Sequence, residues 1–119
     1  MEVQEHVDCI FCAIAAGEIK SDIVYSDDLV VAFRDLHPAS PVHVLVIPRR
    51  HIGSLLDLGP SDGELLATLH RAIRQVAEEQ GIAGDGFRVV VNVGEGAGQS
   101  VGHLHYHVLG GRALAWPPG

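Results

Sequence analysis

Residues 103–108 read His-Leu-His-Tyr-His-Val, imidazole alternating with apolar side chains at a period of two. That period belongs to a β-strand, in which alternate residues share a face, so His103, His105 and His107 point one way and Leu104, Tyr106 and Val108 the other. The apolar set suits a core. Three polar rings in a row must line a different space, because burying unpaired polar groups is costly. At about 3.3 Å rise per residue, the Cα atoms of His103 and His107 are roughly 13 Å apart, whereas a zinc–imidazole bond is only about 2.0–2.1 Å. Two neighbours share a metal easily and three only with strain, so the row is expected to divide among roles.

The rest of the chain supplies a frame for that strand. Its 119 residues, 47% hydrophobic, suit a single domain spanning 1–119 with one core. Val42–Pro48 alternates Val42, Val44 and Val46 against His43, Leu45 and Ile47 and predicts a strand buried on both faces. Residues 23–26 and 29–33 flank Asp27-Asp28 as a hairpin, and 87–94 is a further strand. A short helix is expected within 10–19, stopped by Gly17. A long one is expected over 61–81, with Ser61 and Glu64 as a capping box and Gly81 as the stop. Leu65, Leu69, Ile73 and Val76 share one face of it and are assigned to packing. An α+β sandwich follows, an antiparallel sheet with helices on one face.

Composition narrows the partners. With 8 Lys+Arg against 15 Asp+Glu, the net charge of −7 repels polyanions, which argues against long nucleic acid or an anionic membrane. No apolar run approaches the roughly 18 residues of a membrane helix, and the first residues, MEVQEHVD, resemble no targeting peptide, so a soluble cytoplasmic protein is expected. A small anion held by backbone N–H groups remains compatible with this charge. The glycine-rich stretch 94–100 ahead of the histidines is a place for it, although a plain hairpin connection reads the same way. Phosphate beside imidazole points to nucleophilic or acid–base chemistry at phosphorus. The only cysteines, Cys9 and Cys12, form a C-x-x-C pair open to metal ligation, thiol redox chemistry or plain burial. Two histidines from elsewhere would complete a tetrahedral Cys2His2 set.

The stretch GQSVGHLHYHVLGG resembles the H-x-H-x-H signature of the histidine triad superfamily. Together with 33–52, 90–101 and the ending WPPG, it resembles the Hint branch of nucleoside phosphoramidate hydrolases along nearly the whole chain. The resemblance implies a five-stranded antiparallel meander with one long and one or two short helices, paired into a homodimer whose sheets join edge to edge. It also implies a purine nucleotide or nucleoside phosphoramidate as ligand. His105 would be the nucleophile at the α-phosphorus, His107 the stabiliser of phosphoryl charge, and Ser100 a hydrogen-bonding partner of phosphate or leaving group, aided by Gln99. Asp35 and Asn92 would hold the ribose. Ile10, Phe11, Ile14, Leu36 and Val101 would line the nucleotide pocket, and Trp116 in the tail would reach toward the partner protomer's site. Some members carry a structural zinc, and the matching ligands here are Cys9, Cys12, His51 and His103. Gly102, Ala113 and Ala115 are smaller than the residues relatives often carry, which would reshape the leaving-group side. His6, His37, His43 and His70 have no motif support and are expected at the surface or in packing. Two other functions fit the same residues: a nucleotide-binding regulatory module, and a zinc hydrolase with two triad histidines on a catalytic metal.

Overall fold

A computed structural model describes residues 9–119, so His6 lies outside the described residues. Its sheet has five strands, β1 (Ile23–Ser26), β2 (Val30–Arg34), β3 (Val42–Pro48), β4 (Phe87–Val91) and β5 (Tyr106–Gly110), in the spatial order β1-β2-β3-β5-β4, with every pairing antiparallel. The first three strands meander. The chain then crosses by way of helix α2 (Gly63–Glu79) to the outer strand β4, and β5 returns between β4 and β3.

The layering follows from β3, whose two faces are both apolar. Val44 and Val46 pack with Val30, Ala32 and the Leu65, Leu69, Ile73 and Val76 stripe of α2. Leu45 and Ile47 pack on the other face with Val31, Phe33 and the short helix α1 (Ile10–Ala15), through Phe11 and Ile14. The expectation of helices on one face is therefore corrected. A strand buried on both sides needs a cover on both sides, and α1 supplies the second.

Both helices end where glycine was expected to end them, but their extents differ from the sequence reading. Gly17 (φ +80°) and Gly81 (φ +75°) adopt the left-handed conformation. In each case the next residue's N–H reaches back to close the last turn, Glu18 to Ala13 at 2.9 Å and Ile82 to Ala77 at 3.0 Å. α1 thus stops at Ala15, two residues before the expected stop at Gly17. The Ser61/Glu64 capping box does not form. Residues Pro60–Asp62 make a separate 3-10 turn instead, in which the Asp62 carboxylate accepts from Gly59 N–H at 2.8 Å and from Arg50 at 2.6 Å, and α2 starts at Gly63. The hairpin turn is closed by Asp27, whose Oδ1 accepts from the N–H groups of Leu29 and Val30, each at 2.8 Å.

Strand β4 ends at Val91, three residues before the expected boundary, and the glycine-rich stretch contains a 3-10 turn, Glu95–Ala97. Strand β5 begins only at Tyr106, so His103 and His105 lie in the bend that enters it. The division of faces survives: Leu104, Tyr106 and Val108 are in the α2-side core, while His105 and His107 line a cleft on the α1 side. No helix among the described residues is long and apolar enough to cross a membrane.

Candidate active site and metal centre

The cleft, of about 260 Å³, opens on the face of the sheet that α1 covers, and strand register builds its floor. Phe33 pairs with Leu45, and Leu45 pairs with His107, so three adjacent strands carry a row running from apolar to imidazole. Ile10, Phe11 and Ile14 form the wall, and Asp35, Leu36, Ser100, Val101 and His105 complete the part expected from the sequence. Ile19, Phe33 and Leu45 also line it and were missed, because single apolar residues carry no local sign of which cavity they face. Leu36, 86% exposed, is too accessible to be core.

Three expected site residues do not line this cleft. Asn92 is half-buried just beyond β4. The Gln99 amide is committed inside the loop: its Oε1 accepts from Gly94 N–H at 2.9 Å, and its Nε2 donates to Gly53 O at 2.8 Å and Val101 O at 3.0 Å. Gln99 therefore fixes the loop that presents Ser100 and Val101. Trp116 is 80% exposed in the tail, which β4 holds through an Arg88 to Ala115 carbonyl bond of 2.9 Å and an Arg88–Trp116 ring contact at 6.0 Å.

Hydrogen bonds assign a tautomer to each triad ring. His103 Nε2 lies 2.9 Å from the Pro48 carbonyl, which only accepts, so Nε2 carries the proton and Nδ1 presents a lone pair. His105 Nδ1 donates in the same way to the His103 carbonyl at 2.8 Å, which makes Nε2 its basic nitrogen. Phe11 packs edge-on against both rings, with centroids 6.0 Å from His103 and 5.2 Å from His105.

His107 depends on His43, the residue the sequence reading left to surface or packing. Ala39 N–H donates to His43 Nδ1 at 2.9 Å, so the proton of a neutral His43 is on Nε2. That nitrogen is 2.9 Å from His107 Nδ1 and 3.5 Å from Asp35 Oδ2. His43 therefore donates, His107 accepts at Nδ1, and the His107 proton is on Nε2. This Nε2 is buried and has no hydrogen-bond partner among the described residues. Burial holds His43 neutral against the opposing pull of Asp35. Burial, followed by the neighbouring His105 and His43, pushes His107 down to about 4, with Asp35 opposing. Asp35 also closes its own loop, Oδ1 accepting from His37 N–H at 2.8 Å. The alternation within β3 was the available signal for His43, since it put a polar ring on the same buried face as Leu45 and Ile47.

The donor atoms of Cys9, Cys12, His51 and His103 all lie within 4.8 Å of one another. Cys9 Sγ is 3.3 Å from His103 Nδ1, and Cys12 Sγ is 3.1 Å from His51 Nδ1 and 3.5 Å from His103 Nδ1. Tetrahedral zinc, with bonds of about 2.0–2.3 Å, separates its ligands by roughly 3.3–3.8 Å, so the set fits a metal of that size. The His103 tautomer fits as well, because its outer nitrogen is held by a carbonyl. Burial, followed by the adjacent Cys9, pushes Cys12 up to about 12, and a cation bound between the sulfurs is what would favour the thiolate. All four ligands come from the protein, which closes the set in the manner of a structural site. A second group, Asp35, His43 and His107, is equally close-set. There, however, the Ala39 N–H already occupies His43 Nδ1 and keeps the proton on the nitrogen a metal would need.

The comparisons agree with this geometry. Residues 8–114 match the family model described as scavenger mRNA decapping enzyme C-term binding. The chain belongs to the histidine triad superfamily. It is 49% identical over 112 residues to an uncharacterized HIT-like protein of Synechococcus elongatus, covering 94% of this chain and 97% of that one. It is 45% identical over 105 residues to the purine nucleoside phosphoramidase of Escherichia coli K12, covering 88% of each. A HIT family hydrolase from Legionella pneumophila superposes with a TM-score of 0.92 at 45% identity, covering 94% of this chain and all (100%) of that one. In this histidine triad protein, the residues that carry the signature are thus split between a closed four-ligand cluster and an open cleft.

Proposed function

We propose that the chain hydrolyses the P–N bond of purine nucleoside 5′-phosphoramidates through a covalent nucleotidyl-histidine. The observation that carries the reading is the pair of nitrogens at the imidazole end of the cleft: basic Nε2 of His105, and the orphaned N–H of His107, with ring centroids 5.1 Å apart. An unsatisfied buried donor costs about 1–3 kcal/mol, which a phosphoryl oxygen would offset. His105 Nε2 attacks phosphorus, the P–N bond to the leaving group breaks, and the amine departs with a proton. Water then cleaves the N–P bond, releasing nucleoside monophosphate and restoring His105. His107 Nε2–H stabilises the phosphoryl oxygens as their charge grows, and Ser100, at the mouth of the cleft, bonds phosphate or leaving group. The apolar wall receives the base and the Asp35 carboxylate accepts from ribose hydroxyls.

Zinc is the proposed metal, structural in role, held by Cys9, Cys12, His51 and His103. Its contribution is to tie α1 and the bend at His103 to the sheet. The open edge of β4, with Phe87 and Val89 exposed, supports pairing with a second copy, and the tail held beside that edge by Arg88 supports a Trp116 contribution across it. The cytoplasm is the proposed location. Phosphoramidase activity in the Escherichia coli relative supports the substrate class.

Intact-mass measurement during turnover of an adenosine or guanosine phosphoramidate tests the mechanism. The wild-type chain should carry a nucleotidyl adduct, and His105→Asn should lose both adduct and turnover. Undiminished turnover by that variant would refute covalent catalysis at His105. Tight monophosphate binding with no turnover of either substrate by the wild type would make the chain a binding module instead.

A further inference from the structure

The proton on His107 Nε2 is specified from outside the cleft. Its origin is traced back through His43 to Ala39, in the turn between Pro38 and Pro41. A backbone amide only donates, so as long as Ala39 N–H is seated on His43 Nδ1, each later proton in the chain has one permitted position. Should that N–H move away, His43 gains the alternative tautomer, with its proton on Nδ1. Nε2 of His43 would then accept, His107 would donate from Nδ1, and a lone pair would replace the N–H facing the phosphoryl oxygen.

Two further side-chain bonds hold the turn. Ser40 Oγ donates to Val42 O at 2.6 Å, which ties the turn to its own strand. Arg112, two residues beyond β5, donates from Nη2 to the Ala39 carbonyl at 3.1 Å, while its Nη1 donates to Ala113 O at 3.0 Å. The guanidinium therefore bridges the start of the C-terminal tail and the one residue whose amide sets the histidine tautomers. A planar fork suits this bridging of two carbonyls, and an ammonium ion would hold them less rigidly.

We propose that Arg112 and the Ala39 amide are positioning groups for the reaction. Through His43, they keep His107 in the Nε2–H tautomer and couple the C-terminal tail to the imidazole end of the cleft. Neither group touches the substrate. The kinetic part of this inference rests on the phosphoramidase reading, whereas the tautomer part does not.

The test is 15N NMR of the histidine rings in the metal-loaded full chain, without substrate, for wild type, Arg112→Gln, Arg112→Lys and Ala39→Pro. Steady-state kinetics on a nucleoside phosphoramidate accompanies it. Wild type should show Nε2–H on both His43 and His107. Arg112→Gln should show mixed tautomers at both rings and a kcat lower by about five- to tenfold, the scale of one hydrogen bond, with KM within about twofold. Arg112→Lys should recover part of each. Ala39→Pro, which removes the donor itself, should show the larger tautomer change if its melting temperature shows it folded. Pure Nε2–H signals in Arg112→Gln would overturn the proposal, and so would mixed tautomers with an unchanged kcat. If wild type turns over no phosphoramidate, the functional reading fails while the ring spectra still decide this one.

Discussion

Stripping the metal tests the division between the two histidine clusters most directly. The four ligands join segments distant in sequence, Cys12 and His51 being 39 residues apart and Cys12 and His103 being 91 apart. Treating the shorter closure as a cross-link, the chain-entropy relation gives about 4 kcal/mol for a loop of that length. Some restraint would survive metal loss. Phe11 and Ile14 stay packed on the sheet, and Arg49 still donates to the Ala15 carbonyl at the end of α1 at 2.7 Å. A cost of about 2–4 kcal/mol is therefore expected, which for a domain of this size lowers Tm by roughly 8–15 °C. Nucleotide affinity should fall too, because α1 forms the wall of the cleft and the His103 carbonyl orients His105. The assay is thermal melting by circular dichroism and nucleoside monophosphate titration, before and after dialysis against a chelator, with metal content measured in each sample. A stripped chain melting within about 2 °C of the loaded one would refute the cross-link reasoning. Immediate loss of turnover with Tm unchanged would make the metal catalytic instead.

Three further outcomes follow from the site. Asp35→Ala should raise KM for a ribonucleotide substrate by about tenfold or more, the loss of hydrogen bonds to a charged acceptor, and the effect should shrink for the 2′-deoxy substrate; equal losses on both would remove the ribose role. Phe11→Ala should cost about 3 kcal/mol in urea unfolding, at the low end for a buried aromatic because one side of the space opens to the cleft; a cost below about 1 kcal/mol would show that α1 is not held by this ring. Acid should destabilise through His107. With its folded value down at about 4 against an ordinary 6.5, the unfolded chain takes the proton first, so the stability is complete above 6.5 and is lost as pH falls toward 4. At about 1.4 kcal/mol per unit, discounted for partial exposure, this is about 1–2 kcal/mol. His107→Gln should flatten that much of the decline in urea midpoints, and an identical pH slope in the variant would count against it.

Periodicity made the frame legible. The stripe on α2, the doubly buried β3 and the helix stops at Gly17 and Gly81 each rest on a spacing or a backbone requirement local to the sequence. Features set by distant partners were not legible in that way. Asp62 takes the place of the expected Ser61/Glu64 cap, its carboxylate shared between the Gly59 N–H and Arg50, a partner 12 residues back that no capping pattern includes. His43 reads as one polar residue among valines until the β3–β5 register sets Leu45 against His107 and brings His43 to the diagonal position. Gln99 has the composition of a ligand-binding amide, and only the approach of Gly53 shows that its donors are committed within the protein. Within the candidate metal cluster, the C-x-x-C pair was legible as a possible site, but His51 and His103 were legible only through family resemblance, since no spacing rule links that pair to histidines at 51 and 103.

One residue type suits three proposed tasks in the triad because the cap on each ring differs in position or in kind. A carbonyl on His103 Nε2 leaves Nδ1 for a metal, a carbonyl on His105 Nδ1 leaves Nε2 basic, and a donor on His107 Nδ1 leaves Nε2 as an N–H. The caps are also linked in series. Pro48, at the end of β3, fixes His103, and the His103 peptide fixes His105, so a disturbance of the candidate metal cluster should reach the proposed nucleophile within one peptide unit. His107 hangs from a separate line that begins at Ala39. The two lines meet where the rings of His105 and His107 pack edge to face at the imidazole end of the cleft. Damage to one line should therefore spare the tautomer set by the other: a metal-stripped chain should keep His107 as Nε2–H, and Arg112→Gln should keep its full metal content.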